Sequence, residues 1–309
     1  MKKDYLLTLF ALIVIAAAWL LGNAAASPDT THQADPINLS EMRLENEDKL
    51  VVPEDKVEEV WSYLLDRLVN DQAFIKSLAP GLDSYWYDEL FVDIYFDTPD
   101  LAMLKRESGI RYRRRENLTK PDHDKSGREL LQIKLNAVES NALNRGEIKF
   151  NIIQSVNLKT QDDVHPVLGR LESDDRPAFK QLMSQLGIDP YSLNQVLVLE
   201  QRRRSIYIPR NGDDFISLRL DEVTSELLWA DWYHVEIEPE LNEIPYTEAS
   251  ARERAHMESI NEQIVADILQ QFPYIQRDLT PKYNKAFQYF ETKIPILRFL
   301  IKNRLPLSF

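Results

Sequence analysis

Residues 43–53 read RLENEDKLVVP. Glu45, Glu47 and Lys49 fall at alternate positions, and in a β-strand alternate side chains share one face. Two carboxylates and an ammonium would therefore line one side of a single strand. The commoner origin of such a pattern is the wet side of a sheet. What this face looks onto has to be decided by the other strands.

Eight segments read as strands, by alternation or by β-rich composition: about 41–52, 91–97, 109–116, 129–136, 145–152, 196–208, 214–223 and 231–239. Short connections with turn residues, such as RNGDD at 210–214, favour antiparallel meanders over βαβ units. Three helices interrupt them. PEDKVEEVWSYLLDRLVND places Val57, Val60, Trp61, Leu64, Leu65 and Leu68 at helical spacing. SDDRPAFKQLMSQLGI opens on Ser173 and acids and stops at Gly187, and TEASARERAHMESINEQIVADILQQF is the longest of the three. The expected class is α+β: an eight-stranded antiparallel β-barrel clad by helices.

Charge sorts with charge along these strands. One face carries Arg111, Arg113 and Arg115, another Gln132 and Lys134, another Arg145, Glu147 and Lys149. Glu200, Arg202 and Arg204 align, as do Ser217, Arg219 and Asp221, and Glu236 with Glu238 and a neighbouring His234. The opposite faces carry Val92, Ile94 and Phe96, then Ile133 and Leu135, then Val235 and Ile237. Two arrangements fit: charges outside an apolar core, or a barrel lined with charge and clad by helices. Basic residues dominate the third, fourth and sixth strands and acids the last. Arginine is preferred in RYRRR and QRRRS, and its fork suits bidentate recognition of phosphate or carboxylate oxygens.

Composition narrows the classes. The chain has 309 residues, 44% hydrophobic and 28% charged, enough for one large domain or two small ones. The absence of Cys excludes disulfides, zinc–thiolate sites and cysteine nucleophiles. A formal net charge of −13 argues against non-specific nucleic-acid binding, and no nucleic-acid partner is expected. His123, His165, His234 and His256 lack metal-ligand spacing, Ser217 has no triad pattern, and no Walker loop or dinucleotide fingerprint occurs.

Lys2 and Lys3 precede an apolar run from Leu6 to Leu21, followed by Ala24-Ala25-Ala26. Residues 1–26 read as a secretory signal peptide, with an uncleaved signal anchor as the alternative. The expectation is export to the periplasm or outside, with membrane contact through this segment if it is retained. Residues 27–40 read as a polar linker, 41–290 as the folded domain and 291–309 as a basic apolar tail. That tail suits a membrane surface or a tunnel mouth, though packing on the barrel is the commoner case.

These residues resemble a known family. LENEDK has the Glu-x-Glu-x-Lys form that opens the CYTH-type triphosphate tunnel metalloenzymes, and YFDTPDLAMLKRESGIRYRRRE resembles their second and third strands. LQIKLN, RGEIKF, QRRRSIY, LRLDEV, VEIEPE and PKYNKAF follow in the family's order, so the resemblance runs from about residue 41 to 288. The family includes inorganic triphosphatases, thiamine triphosphatases, class IV adenylate cyclases and RNA triphosphatases. The vacuolar transporter chaperone polyphosphate polymerase domain is related.

The resemblance implies an eight-stranded tunnel with charges pointing inward, and hence that the face of LENEDK looks into it. It implies phosphate contacts from Lys49, Arg111, Arg113, Lys134, Arg202, Arg204 and Lys282, with Lys285 as a second choice for the last. Arg145 is expected to join them, although Arg145 and Glu147 also suit a structural cross-strand pair. Arg115 and Arg203 read as solvated. Glu45, Glu47, Asp221, Glu236 and Glu238 match the acidic positions, as ligands for Mg²⁺ or Mn²⁺, and Glu45 and Glu47 are the expected catalytic carboxylates. The implied activity is metal-dependent hydrolysis of tripolyphosphate or another triphosphate or polyphosphate. The alternatives are a non-catalytic polyphosphate-binding module and a polyphosphate polymerase. Export disfavours ATP and thiamine triphosphate, which are cytoplasmic metabolites. TPKY in place of Ser-Lys-Tyr, and the insertion after the first strand, depart from the family pattern.

Overall fold

The structure, a computed structural model, describes residues 42–78, 84–121, 126–136, 143–153, 160–210 and 213–307. The segment 1–26 and the linker 27–40 lie outside the described residues. Among the described residues alternation produces ten strands: β1 (Arg43–Glu47), β2 (Leu50–Val51), β3 (Tyr85–Asp97), β4 (Gly109–Asn117), β5 (Glu129–Leu135), β6 (Asn144–Phe150), β7 (Asn194–Arg210), β8 (Asp213–Leu227), β9 (Ala230–Leu241) and β10 (Gln276–Arg277). Eight of them close a ring in the order β1–β6–β5–β4–β3–β7–β8–β9 and back to β1, every pair antiparallel. Closure is made by Asn46 opposite Leu241 and Glu47 opposite Glu240. The chain breaks from strand geometry at Asp48 and Lys49, then rejoins β9 as β2, and β10 adds to β2. The expected barrel is present, with its first predicted strand divided in two.

The described helices are α1 (Val57–Leu65), α2 (Gln72–Leu78), α3 (Gln161–Val164), α4 (Asp175–Gln185), α5 (Glu243–Glu248), α6 (Ala251–Gln271), α7 (Lys282–Lys293) and α8 (Leu297–Lys302). None of the described helices is long and apolar enough to cross a membrane. α6 starts at a capping box, with Ser250 and Glu253 each satisfying the other's backbone N–H. Its Ile260, Ile264, Val265 and Ile268 lie with Val60, Trp61 and Leu64 of α1 against Ile206, Ile208, Leu218, Leu220, Val235 and Ile237. On the other side α4 brings Phe179, Leu182 and Met183 onto Ile110, Leu131, Ile133 and Ile148. Each fully buried aliphatic or aromatic side chain there is worth about 1.5–3 kcal/mol. Apolar strand faces therefore point outward under helices, and the charged faces are left inside.

One end of the barrel is different. Tyr95, Leu197, Leu199, Val223 and Trp232 make an apolar cluster with Tyr283, Phe287 and Phe290 of α7, with Ile294, and with Leu297 and Ile301 of α8. Of the tail read from the sequence as 291–309, the described residues to 307 pack on this end of the barrel through Ile294, Leu297 and Ile301.

Candidate functional site

The interior holds a cavity of about 570 Å³, within the range of small-ligand sites. Each barrel strand contributes alternate residues to its wall: Glu45 and Glu47 from β1, Phe91 from β3, Arg111, Arg113 and Arg115 from β4, Lys134 from β5. Arg145, Glu147 and Lys149 follow from β6, Arg203 and Tyr207 from β7, Ser217 and Arg219 from β8, Glu238 and Glu240 from β9. Lys49 and, from α7, Lys282 and Tyr283 complete it.

The basic wall is organised by Asp93, which is fully buried. Arg113 donates to it through Nε and Nη2, each at 2.6 Å, Arg111 through Nη1 at 3.2 Å, and Gln201 through Nε2 at 2.5 Å. Burial raises the proton affinity of Asp93, but Arg113 and Arg111 outweigh it and hold the group at about 2. The Phe91 ring lies among three guanidiniums: Arg113 at 4.6 Å, Arg203 at 5.2 Å and Arg115 at 5.7 Å from its centroid. Arg115 is bound to the buried Glu89.

The acidic wall is threaded with lysines. Lys49 Nζ lies 2.5 Å from Glu238 Oε1, 3.2 Å from Glu47 and 3.7 Å from Glu236. Lys282 Nζ reaches Asp221 at 2.5 Å, Glu238 at 2.8 Å and Glu236 at 3.1 Å. Arg203 donates to Asp221 Oδ1 at 2.6 Å and Glu238 Oε2 at 2.8 Å. Burial opposes ionisation of these glutamates. Lys282 and Lys49 overcome that at Glu236 and Glu238, and Lys134 and Lys49 at Glu47, so all three stay far below the usual carboxylate range.

Two cavity carboxylates go the other way. Burial and the nearby Glu147 raise Glu45. Burial raises Glu240 to about 7 despite its contact with Arg219. Glu45, Glu147 and Glu243 each offer an oxygen within 4.8 Å of the others. Lys134 Nζ stands 2.5 Å from Glu45, and Lys149 Nζ stands 2.6 Å from both Glu147 and Glu243.

Of the residues singled out in the sequence, the cavity gathers Glu45, Glu47, Lys49, Arg111, Arg113, Lys134, Arg145, Glu238 and Lys282. Asp221 and Glu236 are wholly buried and bind Lys282 rather than line the cavity. Lys285 reaches Glu236 at 2.8 Å.

Arg202 and Arg204 are corrected. Arg202 is on the outer surface, 47% exposed, with Nη2 2.7 Å from Asp88. Arg204 is buried on the outer face, 3.0 Å from both Glu58 and Glu222 and 5.1 Å from the Trp61 ring centroid. Arg203 and Arg115, read as solvated, enter the cavity instead. The physical reason is phase: Arg202 and Arg204 share their face with Ile206 and Ile208, which pack outward under α1 and α6. Among the described residues, the three carboxylates whose oxygens lie within 4.8 Å of one another are Glu45, Glu147 and Glu243, and Glu45 is also one of the five expected metal ligands. Asp93 and Glu243 had no charged run to mark them. Glu147 and Arg219 were already aligned with the charged faces.

A family model for the CYTH domain matches residues 75–265. No curated protein matches the chain significantly. Solved structures that match the chain include the PH1819 protein of Pyrococcus horikoshii, 16% identical, TM-score 0.42, covering 79% of this chain and 99% of its own. HpAC1 of Hippeastrum, described with a dominant triphosphatase activity, is 16% identical with TM-score 0.43, covering 81% and 96%. The Pct1 RNA triphosphatase of S. pombe is 12% identical with TM-score 0.32, covering 89% and 98%. The family model spans more than half of the sequence, and the closed barrel with inward charge agrees with it: the chain belongs to the CYTH domain family.

Proposed function

We propose that this chain is a divalent-metal-dependent hydrolase of tripolyphosphate or another triphosphate or polyphosphate held in the barrel. One observation carries the reading. In a chain of net charge −13, Arg111, Arg113, Arg203, Lys134 and Lys282 converge on one cavity beside a group of carboxylates. A polyanion can be buried only where cations replace its hydration.

The donor set fits a hard cation. Glu45, Glu147 and Glu243 supply only oxygens, as Mg²⁺ and Mn²⁺ prefer. Burial, together with the neighbouring Glu147, raises the proton affinity of Glu45, and a bound cation would offset both. When bound, such an ion supplies charge neutralisation and Lewis-acid polarisation. The protein's own groups do the rest. Arg111, Arg113 and Arg203 orient phosphoryl oxygens and stabilise the charge that grows on them in transfer. Glu47, kept ionised by Lys134 and Lys49, anchors those ammonium groups and is a weak base. Glu240, at about 7, has the affinity that suits accepting a proton near neutral pH.

The test is phosphate release from tripolyphosphate, ATP and thiamine triphosphate, each with Mg²⁺, Mn²⁺ or EDTA. Release from tripolyphosphate that EDTA abolishes supports the hydrolase. A second reading, a polyphosphate-binding module, is favoured by the saturation of Asp221, Glu236 and Glu238 with Lys282, Lys49 and Arg203. Tight binding with no release under any metal would select it.

A further inference from the structure

The end of the barrel that carries α8 presents large apolar side chains to solvent. Trp229 at the β8–β9 turn is 66% exposed, Phe299 55%, Ile296 51% and Leu305 43%. They belong to one surface. Trp229 Nε1 donates to the Lys293 carbonyl at 3.3 Å, and the tail folds back as Leu305 N–H donates to the Leu300 carbonyl at 2.9 Å. α8 is apolar on two sides: Leu297 and Ile301 face the core, while Phe299 faces out. Phe299, with Ile296 just before the helix, Leu305 just after it and Trp229 beside Lys293, leaves an apolar patch in solvent, and such a patch marks an interaction surface.

Charge identifies the partner. Residues 292–309 contain Lys293, Arg298, Lys302 and Arg304 and no Asp or Glu, in a chain of net charge −13. Lys293, Lys302 and Arg304 are exposed beside the apolar side chains, while Arg298 is bound to Glu291. Two acids, Glu226 and Asp231, face each other across the hairpin behind Trp229 and set the rim of the patch. An exposed tryptophan, apolar side chains and segregated cations are the requirements for the headgroup region of an anionic bilayer. We propose that this end of the barrel rests on an anionic lipid surface through Trp229, Ile296, Phe299 and Leu305. The cavity runs along the barrel, from Gly109 and Tyr283 near this end to Arg43, Arg115 and Tyr207 at the opposite ends of their strands.

The chain has no Cys, so a single introduced thiol labels cleanly. The full-length Phe299→Cys and Ile296→Cys variants, carrying a nitroxide, would be mixed with vesicles of phosphatidylcholine and phosphatidylglycerol at 7:3. Ile244→Cys, at the opposite end and 47% exposed, is the control. The expected result is that labels at 299 and 296 become accessible to oxygen and protected from a water-soluble nickel complex, while the label at 244 stays nickel-accessible. Reversing Lys293, Lys302 and Arg304 to Glu should remove that protection without lowering the melting temperature, each cation lost costing about fivefold in partitioning. The proposal is overturned if 299 and 296 remain nickel-accessible with vesicles, or if protection survives the charge reversal. It is also overturned by spin–spin broadening at 299 without lipid, which would show that a second copy covers the patch. None of these readouts depends on phosphatase activity.

Discussion

Arg202, Arg203 and Arg204 are consecutive, yet they meet three environments: water, the cavity and the underside of a helix. Arg203→Ala removes a buried guanidinium beside Phe91, and tripolyphosphate affinity should fall by about 10- to 150-fold, or 1.5–3 kcal/mol. Arg202→Ala removes an exposed pair worth about 0–1 kcal/mol and should leave affinity unchanged. Isothermal titration of the two variants decides, and the reverse order would put the wrong arginine in the site. A second prediction concerns Glu240, whose folded-state affinity rises from 4.5 to about 7. A raised carboxylate contributes stability that is complete below 4.5 and lost as pH rises through about 7. The metal-free protein should therefore lose melting temperature from pH 5 to 8, and Glu240→Gln should flatten that slope. Glu47, Glu236 and Glu238 are shifted the other way, so their contribution is present above the usual carboxylate range and survives to strongly acid pH. The phase of the arginine run was legible in the sequence, because Ile206 and Ile208 continue the face of Arg204 beyond the charges. Charge alignment left both arrangements open, and it was the resemblance that put Arg202 and Arg204 among the phosphate contacts. Asp93 was not legible: an acid between Val92 and Ile94 gives no sign that two arginines on the next strand will close on it.

At the scale of elements, α7 holds one end of the barrel together. Tyr283 stacks on Tyr95 with centroids 4.8 Å apart and donates its hydroxyl to Asp97 at 2.9 Å, and Asn284 donates to the Leu104 carbonyl at 2.9 Å. Phe287 is 1% exposed. Phe287→Ala should cost about 3–5 kcal/mol in urea unfolding. Tyr283→Phe leaves Asp97 with one donor fewer and should cost about 1–3 kcal/mol. Equal, negligible losses in both variants would mean that α7 is dispensable. The eight barrel strands and the helices α1, α4 and α6 were readable from alternation and from 3.6-residue spacing. α7 was readable by the same rule, with Tyr283, Ala286, Phe287 and Phe290 on one stripe, but PKYNKAF drew attention as a motif for its lysines and its spacing went unused. What lies opposite that stripe could not be read, because the inward positions Leu197, Leu199 and Val223 become apolar at one end of the barrel only.

Across the whole molecule, acidic net charge and a basic cavity oppose each other in how they meet a polyanion. The bulk field repels it and the cavity attracts it, so ionic strength and divalent ions should both govern binding. With Mg²⁺ present, tripolyphosphate at 100 times its dissociation constant should stabilise the fold by about 2.7 kcal/mol, read as a rise in melting temperature. EDTA should shrink that rise, and Glu45→Gln or Glu147→Gln should mimic EDTA if the three-carboxylate group holds the ion. A rise that neither EDTA nor these substitutions alters would leave the carboxylates without a metal role.

The ring closes between its first and its last strand in chain order, and this fixes when the protein can become itself. β1 ends at Glu47 and is held on one side by β9, whose partner for Glu47 is Glu240. Nothing shorter than that stretch of chain can shut the barrel, and a contact so distant in sequence forms slowly. During synthesis the amino-terminal strand must wait, unpaired on that side, until almost two hundred further residues have been made. Until β9 arrives, the inward charged faces of the earlier strands stay open to solvent on that side.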